Sequence, residues 1–305
     1  LIRINAAPSI NRLNFIRIAR TSKLRGEEIM TYSTLMAHME LGHSNANLLR
    51  IAGDLAQRFD AAVIGIAICQ PMQIIYSEGY VPGDLIAQDR EQREKEIDAA
   101  EAEFRDMLQS RVSRLEWRSE VTPDPLAGYL AREARSADLI ITGVDNNASL
   151  FDHSRHVNVG DVVMQAGRPV LVVPTAASEV RLDSAMVGWK DTRETRRAIA
   201  DALPFLQKAA RITIVEIADE QDLEEARSRL DDVVRWLSLH GVVAEPVARL
   251  STGEDAQQLH AIAVEHRAGV IVAGAYGHSR VREWVLGGVT RDLLLRAGRC
   301  ALVSH

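Results

Sequence analysis

Four glycines and a threonine carry the most distinctive chemistry in this 305-residue chain: Gly274-Ala275-Tyr276-Gly277, nine residues, then Gly287-Gly288-Val289-Thr290. Glycine lets backbone approach backbone and reaches left-handed dihedrals, so consecutive N–H groups can converge on the oxygens of a phosphate. The second cluster opens a stretch of helical period, whose N-terminus adds a partial positive charge. Arg280 and Arg282 lie in the intervening loop and could add charge-assisted hydrogen bonds, and Thr290 offers a hydroxyl. The chemistry to expect is anion binding. The same glycines could also serve only turns and a helix start, since spacing alone is a weak motif. No Gly-x-x-x-x-Gly-Lys-Ser/Thr, no Gly-x-Gly-x-x-Gly after a first strand and no Gly-x-Ser-x-Gly occurs in the chain. A P-loop hydrolase, a dinucleotide dehydrogenase and an α/β-hydrolase are therefore disfavoured. No paired nucleophile and base is visible, so no catalytic residue is assigned. His153 and His156 are read as part of a solvated loop rather than as metal ligands, and no metal site is assigned.

An internal repeat positions these residues. Ser136–Gly143 lies over Arg267–Gly274 at an offset of 131, and the same offset carries Asp161–Arg168 onto Asp292–Arg299. Nearer each start, Thr34–Ala37 matches Ser184–Val187 at an offset of 150, which places Val63-Ile64 on Thr213-Ile214. The difference is 19 extra residues in the first half, expected as a long loop between Gln70 and Ala87, where Pro71, Gly79, Pro82 and Gly83 fall. Pro174–Ser178 reads as the linker between a domain at 30–174 and another at 180–305. Residues 1–29, with six basic residues and no clear period, read as a leader or a disordered arm before Met30.

In the second half, short apolar runs (Ala185–Trp189, Arg211–Ile217, Val242–Ala248, Gly269–Gly274, Cys300–Ser304) alternate with helical stretches at Asp222–His240 and Asp255–His266. Right-handed βα crossovers make each half a doubly wound, Rossmann-like α/β domain with a five-stranded parallel sheet. In a 3-2-1-4-5 order, ligands sit where the winding reverses, between strands one and four. That brings Trp189, Lys190 and Asp191 to Gly274; Trp189 would face the crevice, stacking on a base or closing the pocket. In the first half the positions equivalent to Gly274, Gly277, Gly287 and Gly288 are Gly143, Asn146, His156 and Val157. Three of these add a Cβ to the cradle, so this half is expected to keep the fold and to have lost or changed its ligand.

The glycine spacing resembles the Gly-2x-Gly-9x-Gly signature of the universal stress protein family, and the run Arg282–Leu294 is similar to the form found in its tandem members. The resemblance covers both halves, roughly 31–305. It implies an adenine nucleotide α-hydrolase-like fold in each half, pairing of the two halves through their last strands as an intramolecular pseudo-dimer, and binding of ATP or a related adenine nucleotide, with Mg²⁺ accompanying ATP. Carried onto this chain, the binding residues are Trp189, Lys190, Asp191, Gly274, Gly277, Arg280, Gly287, Gly288, Val289 and Thr290. Two positions depart from the pattern. Gly288 stands where binding members have Ser or Thr, and Lys190 stands where they have an aspartate, with Asp191 one place late. The function implied is a stress-response protein without dedicated catalysis. A slow ATP hydrolase using Arg280 and Thr290, or an interaction module without nucleotide, remain the alternatives.

The bulk properties agree with that reading. A formal charge of −6 argues against a nucleic-acid partner. The longest apolar run, Ala61–Cys69, is too short to span a bilayer. Cys69 and Cys300 sit in apolar runs and read as buried thiols of a cytoplasmic protein. The mixed-charge run Asp89–Asp106 reads as the wet face of an amphipathic helix around Ile97 and Phe104. Homodimerisation through other surfaces is left open.

Overall fold

The computed structural model describes residues 31–71, 83–144, 154–275 and 298–305. The first half runs β1 (Thr34–Met39), α1 (Ala46–Phe59), β2 (Ala62–Cys69), α2 (Gly83–Leu108), β3 (Leu115–Val121), α3 (Leu126–Glu133), β4 (Leu139–Gly143), α4 (Val159–Ala166) and β5 (Val170–Val173). The second runs β6 (Ser184–Trp189), α5 (Arg193–Asp201), a short α6 (Leu203–Leu206), β7 (Arg211–Ala218), α7 (Leu223–Leu239), β8 (Glu245–Leu250), α8 (Asp255–Glu265), β9 (Val270–Gly274) and β10 (Cys300–Ser304).

The ten described strands form one sheet in the order β3-β2-β1-β4-β5-β10-β9-β6-β7-β8. Read outward from the middle, each half repeats the 3-2-1-4-5 order, with parallel pairing throughout. The single antiparallel contact in the sheet is the central one, where Ala301, Leu302 and Val303 of β10 face Val172, Leu171 and Val170 of β5. Both strands are buried along their whole length, so this seam is covered as a sheet interior must be. The outer strands β3 and β8 carry the charged residues Glu116, Arg118, Glu120, Glu245 and Arg249. Charges on an exposed edge oppose further strand addition.

Alternation along each strand divides the apolar side chains into two layers, one on each face of the sheet. One layer gathers residues of α1, α2, α5, α6 and α7 over Leu35, Ala37, Val187 and Trp189. The other gathers α3, α4 and α8 over Met36, Ile140, Met186 and Ile271. On the first face an aromatic trio joins the halves: the rings of Tyr32 and Phe59 lie 5.5 and 5.7 Å from Phe205. The Tyr32 hydroxyl donates to the Asp201 carbonyl at 2.6 Å.

The structure moves some expected boundaries. The run Asp89–Asp106 lies within α2 with Phe104 fully buried, as its pattern indicates, but the helix begins at Gly83, inside the stretch expected to be loop. α2 has 26 residues against 17 in α7, so part of the extra length in the first half is helix; 72–82 fall outside the described residues. The last strand before α8 begins at Glu245 rather than Val242, because the Val242 N–H donates back to the Leu237 carbonyl of α7 at 3.0 Å and pairing with β7 starts only at Glu245. The equivalence of β2 and β7 also shifts by one. Leu35 pairs Val63 and Ala185 pairs Ile212, so Val63 matches Ile212, not Thr213. The connection from β6 to β7 is one residue shorter, and a one-residue slip would turn each side chain to the other face.

Candidate functional site

β6 and β9 are neighbours, with Gly188 opposite Ala273, so the end of β6 and Gly274 come together at the reversal of winding in the second half. Of the residues assigned to binding, Trp189, Lys190, Asp191 and Gly274 are described; Gly277, Arg280, Gly287, Gly288, Val289 and Thr290 lie outside the described residues. Trp189 is 8% exposed and belongs to the core layer over α5 and α7. Its indole Nε1 is buried without a hydrogen-bond partner. Lys190 is exposed. Asp191 is exposed and accepts from Arg196 at 2.5 Å.

Helix α5 starts directly behind these residues. Thr192 is its N-cap, with its hydroxyl accepting from the Thr195 N–H at 3.4 Å, which satisfies one of the free donors of the first turn. Glu194 is buried beside it. Burial alone would raise its carboxyl, but hydrogen bonds from Arg193, from its own backbone N–H and from Thr192 outweigh burial and hold it below the ordinary carboxylate value. Gly274 abuts this turn so closely that a Cβ would stand 2.5 Å from the Thr195 nitrogen and 2.6 Å from the Glu194 carbonyl carbon. The requirement for glycine at 274 is thus already explained by helix packing. Its counterpart Gly143 has nothing within 4 Å of the same position.

The first-half crevice is built differently. Just before α1, the Glu103 carboxylate accepts from the Asn45 N–H at 3.1 Å and from the Ser44 hydroxyl at 3.0 Å. The Asn45 amide oxygen in turn accepts from the Glu40 N–H at 2.9 Å. Between β1 and β4, His38 Nδ1 lies 3.1 Å from Thr142 Oγ1, both residues being buried. Glycine and alanine, Gly188 and Ala273, hold those places in the second half. His38, Asn45 and Glu103 were not singled out from the sequence. A histidine among the apolar residues of β1 was the available signal. His156 lies close enough to act on His38 electrostatically; His153 lies outside the described residues. Among the described residues, no group of three or more His, Cys, Asp or Glu side chains could hold a metal ion. No described helix is long and apolar enough to cross a membrane.

These features define a doubly wound α/β architecture duplicated within one sheet. Solved structures described as universal stress proteins share it. One from Archaeoglobus fulgidus DSM 4304 aligns with a TM-score of 0.66 at 14% identity, covering 89% of this chain and 95% of that one. A putative universal stress protein from Pseudomonas aeruginosa UCBPP-PA14 aligns at 0.54 with 14% identity over 90% of this chain and 93% of that one. A protein of unknown function from Pseudomonas aeruginosa PAO1 aligns equally, at 0.54 and 14% identity over 90% and 92%. At such identities the likeness establishes the fold. No protein-family model matches the chain, and no curated protein does.

Proposed function

We propose that this chain is a tandem universal stress protein, with domains at 30–174 and 180–305, whose second domain binds an adenine nucleotide as a signal or stabiliser rather than as a substrate. The observation that carries this reading is the junction of Lys190 and Gly274 at the reversal of winding, from which the glycine set at 277, 287 and 288 continues. This is where doubly wound sheets take ligands. Lys190 supplies an exposed cation for an anionic group. ATP would bring Mg²⁺ with it. The first domain lacks three of the four glycines, and Glu103 sits at the chain just before α1, the helix that follows its first strand. One nucleotide per chain is the expected stoichiometry. We further read the β5–β10 seam as the pseudo-dimer contact of the two domains, and the free, buried Cys69 and Cys300 as those of a cytoplasmic protein.

Calorimetric titration of the full chain with ATP tests the site. The reading expects one equivalent bound, binding abolished in Gly277→Val, and binding retained in Asn146→Val. Two equivalent sites, or unchanged affinity in the Gly277 variant, would place the phosphates elsewhere. Absence of heat with any adenine nucleotide, together with no gain in thermal stability, would favour the interaction-module alternative.

A further inference from the structure

We propose that two copies of this chain associate through the free edge of β3, antiparallel and centred on Trp117, so that the sheet of one copy continues into the other. β3 and β8 are the end strands among those described. The Arg114 carbonyl accepts from the Val63 N–H, and the Thr122 N–H donates to the Cys69 carbonyl, each at 2.9 Å. The even-numbered residues of β3 thus turn their main-chain groups to β2. Alternate residues of a strand address opposite neighbours, which leaves the N–H and C=O groups of Leu115, Trp117, Ser119 and Val121 directed at the open side. All four side chains are half-buried or exposed.

The repeat supplies a contrast. Gly65 pairs Trp117 and Ile214 pairs Pro246, so with Val63 equivalent to Ile212, Pro246 of β8 stands in the place of Trp117. The Ser251 N–H donates to the Ala218 carbonyl at 2.8 Å, which makes the even-numbered positions of β8 the outward ones, Pro246 among them. A proline there removes a donor from the free edge and opposes strand addition. β3 carries no proline. Pairing of β3 with β8 of the next copy would propagate into a filament, and Pro246 interrupts it; pairing of β3 with itself closes as a two-fold dimer.

Charge selects the partner and the register. Arg114, Glu116, Arg118 and Glu120 alternate in sign along the face of β3 on which Arg118 pairs with Glu133 of α3 at 2.8 Å. Hydrogen bonding requires outward residues to meet outward residues, so registers displaced by a single residue are excluded. A two-fold axis at Trp117 sets Glu116 opposite Arg118 of the second copy and Arg114 opposite its Glu120, each pair occurring twice by symmetry. These are non-hydrogen-bonded pairs, in which side chains approach most closely. An axis at Arg118 would oppose that residue to itself and Glu116 to Glu120. Axes at Leu115 or Ser119 align fewer opposite charges within the strand. Charges that repel an arbitrary strand therefore admit a second copy of this one. Arg114 and Glu120 are both exposed, and Arg114 donates to the neutral Asp60 carbonyl at 2.6 Å. On the other face the Trp117 rings of the two copies meet, each backed by its own Phe104 at 5.5 Å.

The test is sedimentation equilibrium of the full chain over the micromolar range, with amide hydrogen exchange of the wild type at both ends of that range. The wild type is expected to dimerise, with the amides of Trp117 and Ser119 protected at high concentration and exchanging at low. Arg114→Glu and Glu120→Arg each set like charges opposite one another twice, and each should raise the dissociation constant on the order of 10-fold. An equimolar mixture of the two variants restores opposite charges at both places, so it should form heterodimers about as tightly as the wild type. A monomeric wild type, a dimer that neither variant weakens, or a mixture no tighter than the separate variants would overturn the proposal. If a variant does not fold, exchange in the wild type decides alone: protection of β3 that does not change with concentration counts against the dimer.

Discussion

Gly274 and Thr195, 79 residues apart, touch backbone to backbone: a Cβ on Gly274 would sit 2.5 Å from the Thr195 nitrogen, inside the first turn of α5. Main-chain atoms cannot swing aside as a flexible side chain can, so the helix or the strand end must move. Gly274→Ala is expected to destabilise the fold by about 1–3 kcal/mol, whereas Gly143→Ala, with open space at the same place, should lie within about 0.5 kcal/mol of wild type. Urea unfolding of both variants measures this. Equal stabilities would mean that the contact relaxes without cost.

The aromatic contact between the halves gives a second expectation. Phe205 is fully buried against Tyr32 and Phe59, and Phe205→Ala should cost about 3–5 kcal/mol. Tyr32→Phe keeps the ring and loses only the hydrogen bond to Asp201, a loss of about 1 kcal/mol. Thermal unfolding should rank the two variants in that order; a milder effect for Phe205→Ala would show that the halves are held elsewhere.

At the centre of the sheet, Val172 and Leu302 are fully buried on neighbouring antiparallel strands. A carboxylate at either place would have no partner among the apolar residues around it, and the cost should exceed about 3 kcal/mol. Val172→Asp and Leu302→Asp are each expected to aggregate on heating and to expose residues 174–183 to protease. Wild-type resistance in both would exclude the seam as the joint between the halves.

The cysteines provide a test against pH. Burial raises the thiols of both Cys69 and Cys300, the latter to about 12. The thiolate is the nucleophile, so at pH 8 the native protein should react with Ellman's reagent far more slowly than a free thiol, and both cysteines should react at once in guanidinium chloride. Fast modification of the native protein at pH 8 would contradict the burial of these residues.

The sequence by itself determined the duplicated plan. Strand and helix periods alternate, right-handed crossovers leave few topologies, and the repeat carries one order onto both halves; β10 falls on the residues read as the last strand, Cys300–Ser304. The glycine spacing also marked a region in which a phosphate cradle could be sought. Boundaries were less legible where two effects compete. Gly83 punctuates a loop in sequence but starts α2 in the structure, and Val242 belongs to the apolar run of β8 although its side chain turns into the core before the strand begins.

What only the tertiary structure decided are relationships between residues distant in the chain. Gly274 reads as a ligand glycine until α5 is seen resting on it. Trp189 ends a strand in the sequence, and only the structure shows its ring within the core layer. Gly188 reads as a strand glycine until Leu259 of α8 is found beside it, its Cδ2 3.4 Å from where a Cβ would stand. Local periodicity records which face a side chain takes, whereas the volume and charge awaiting it there are set by the element packed across that face.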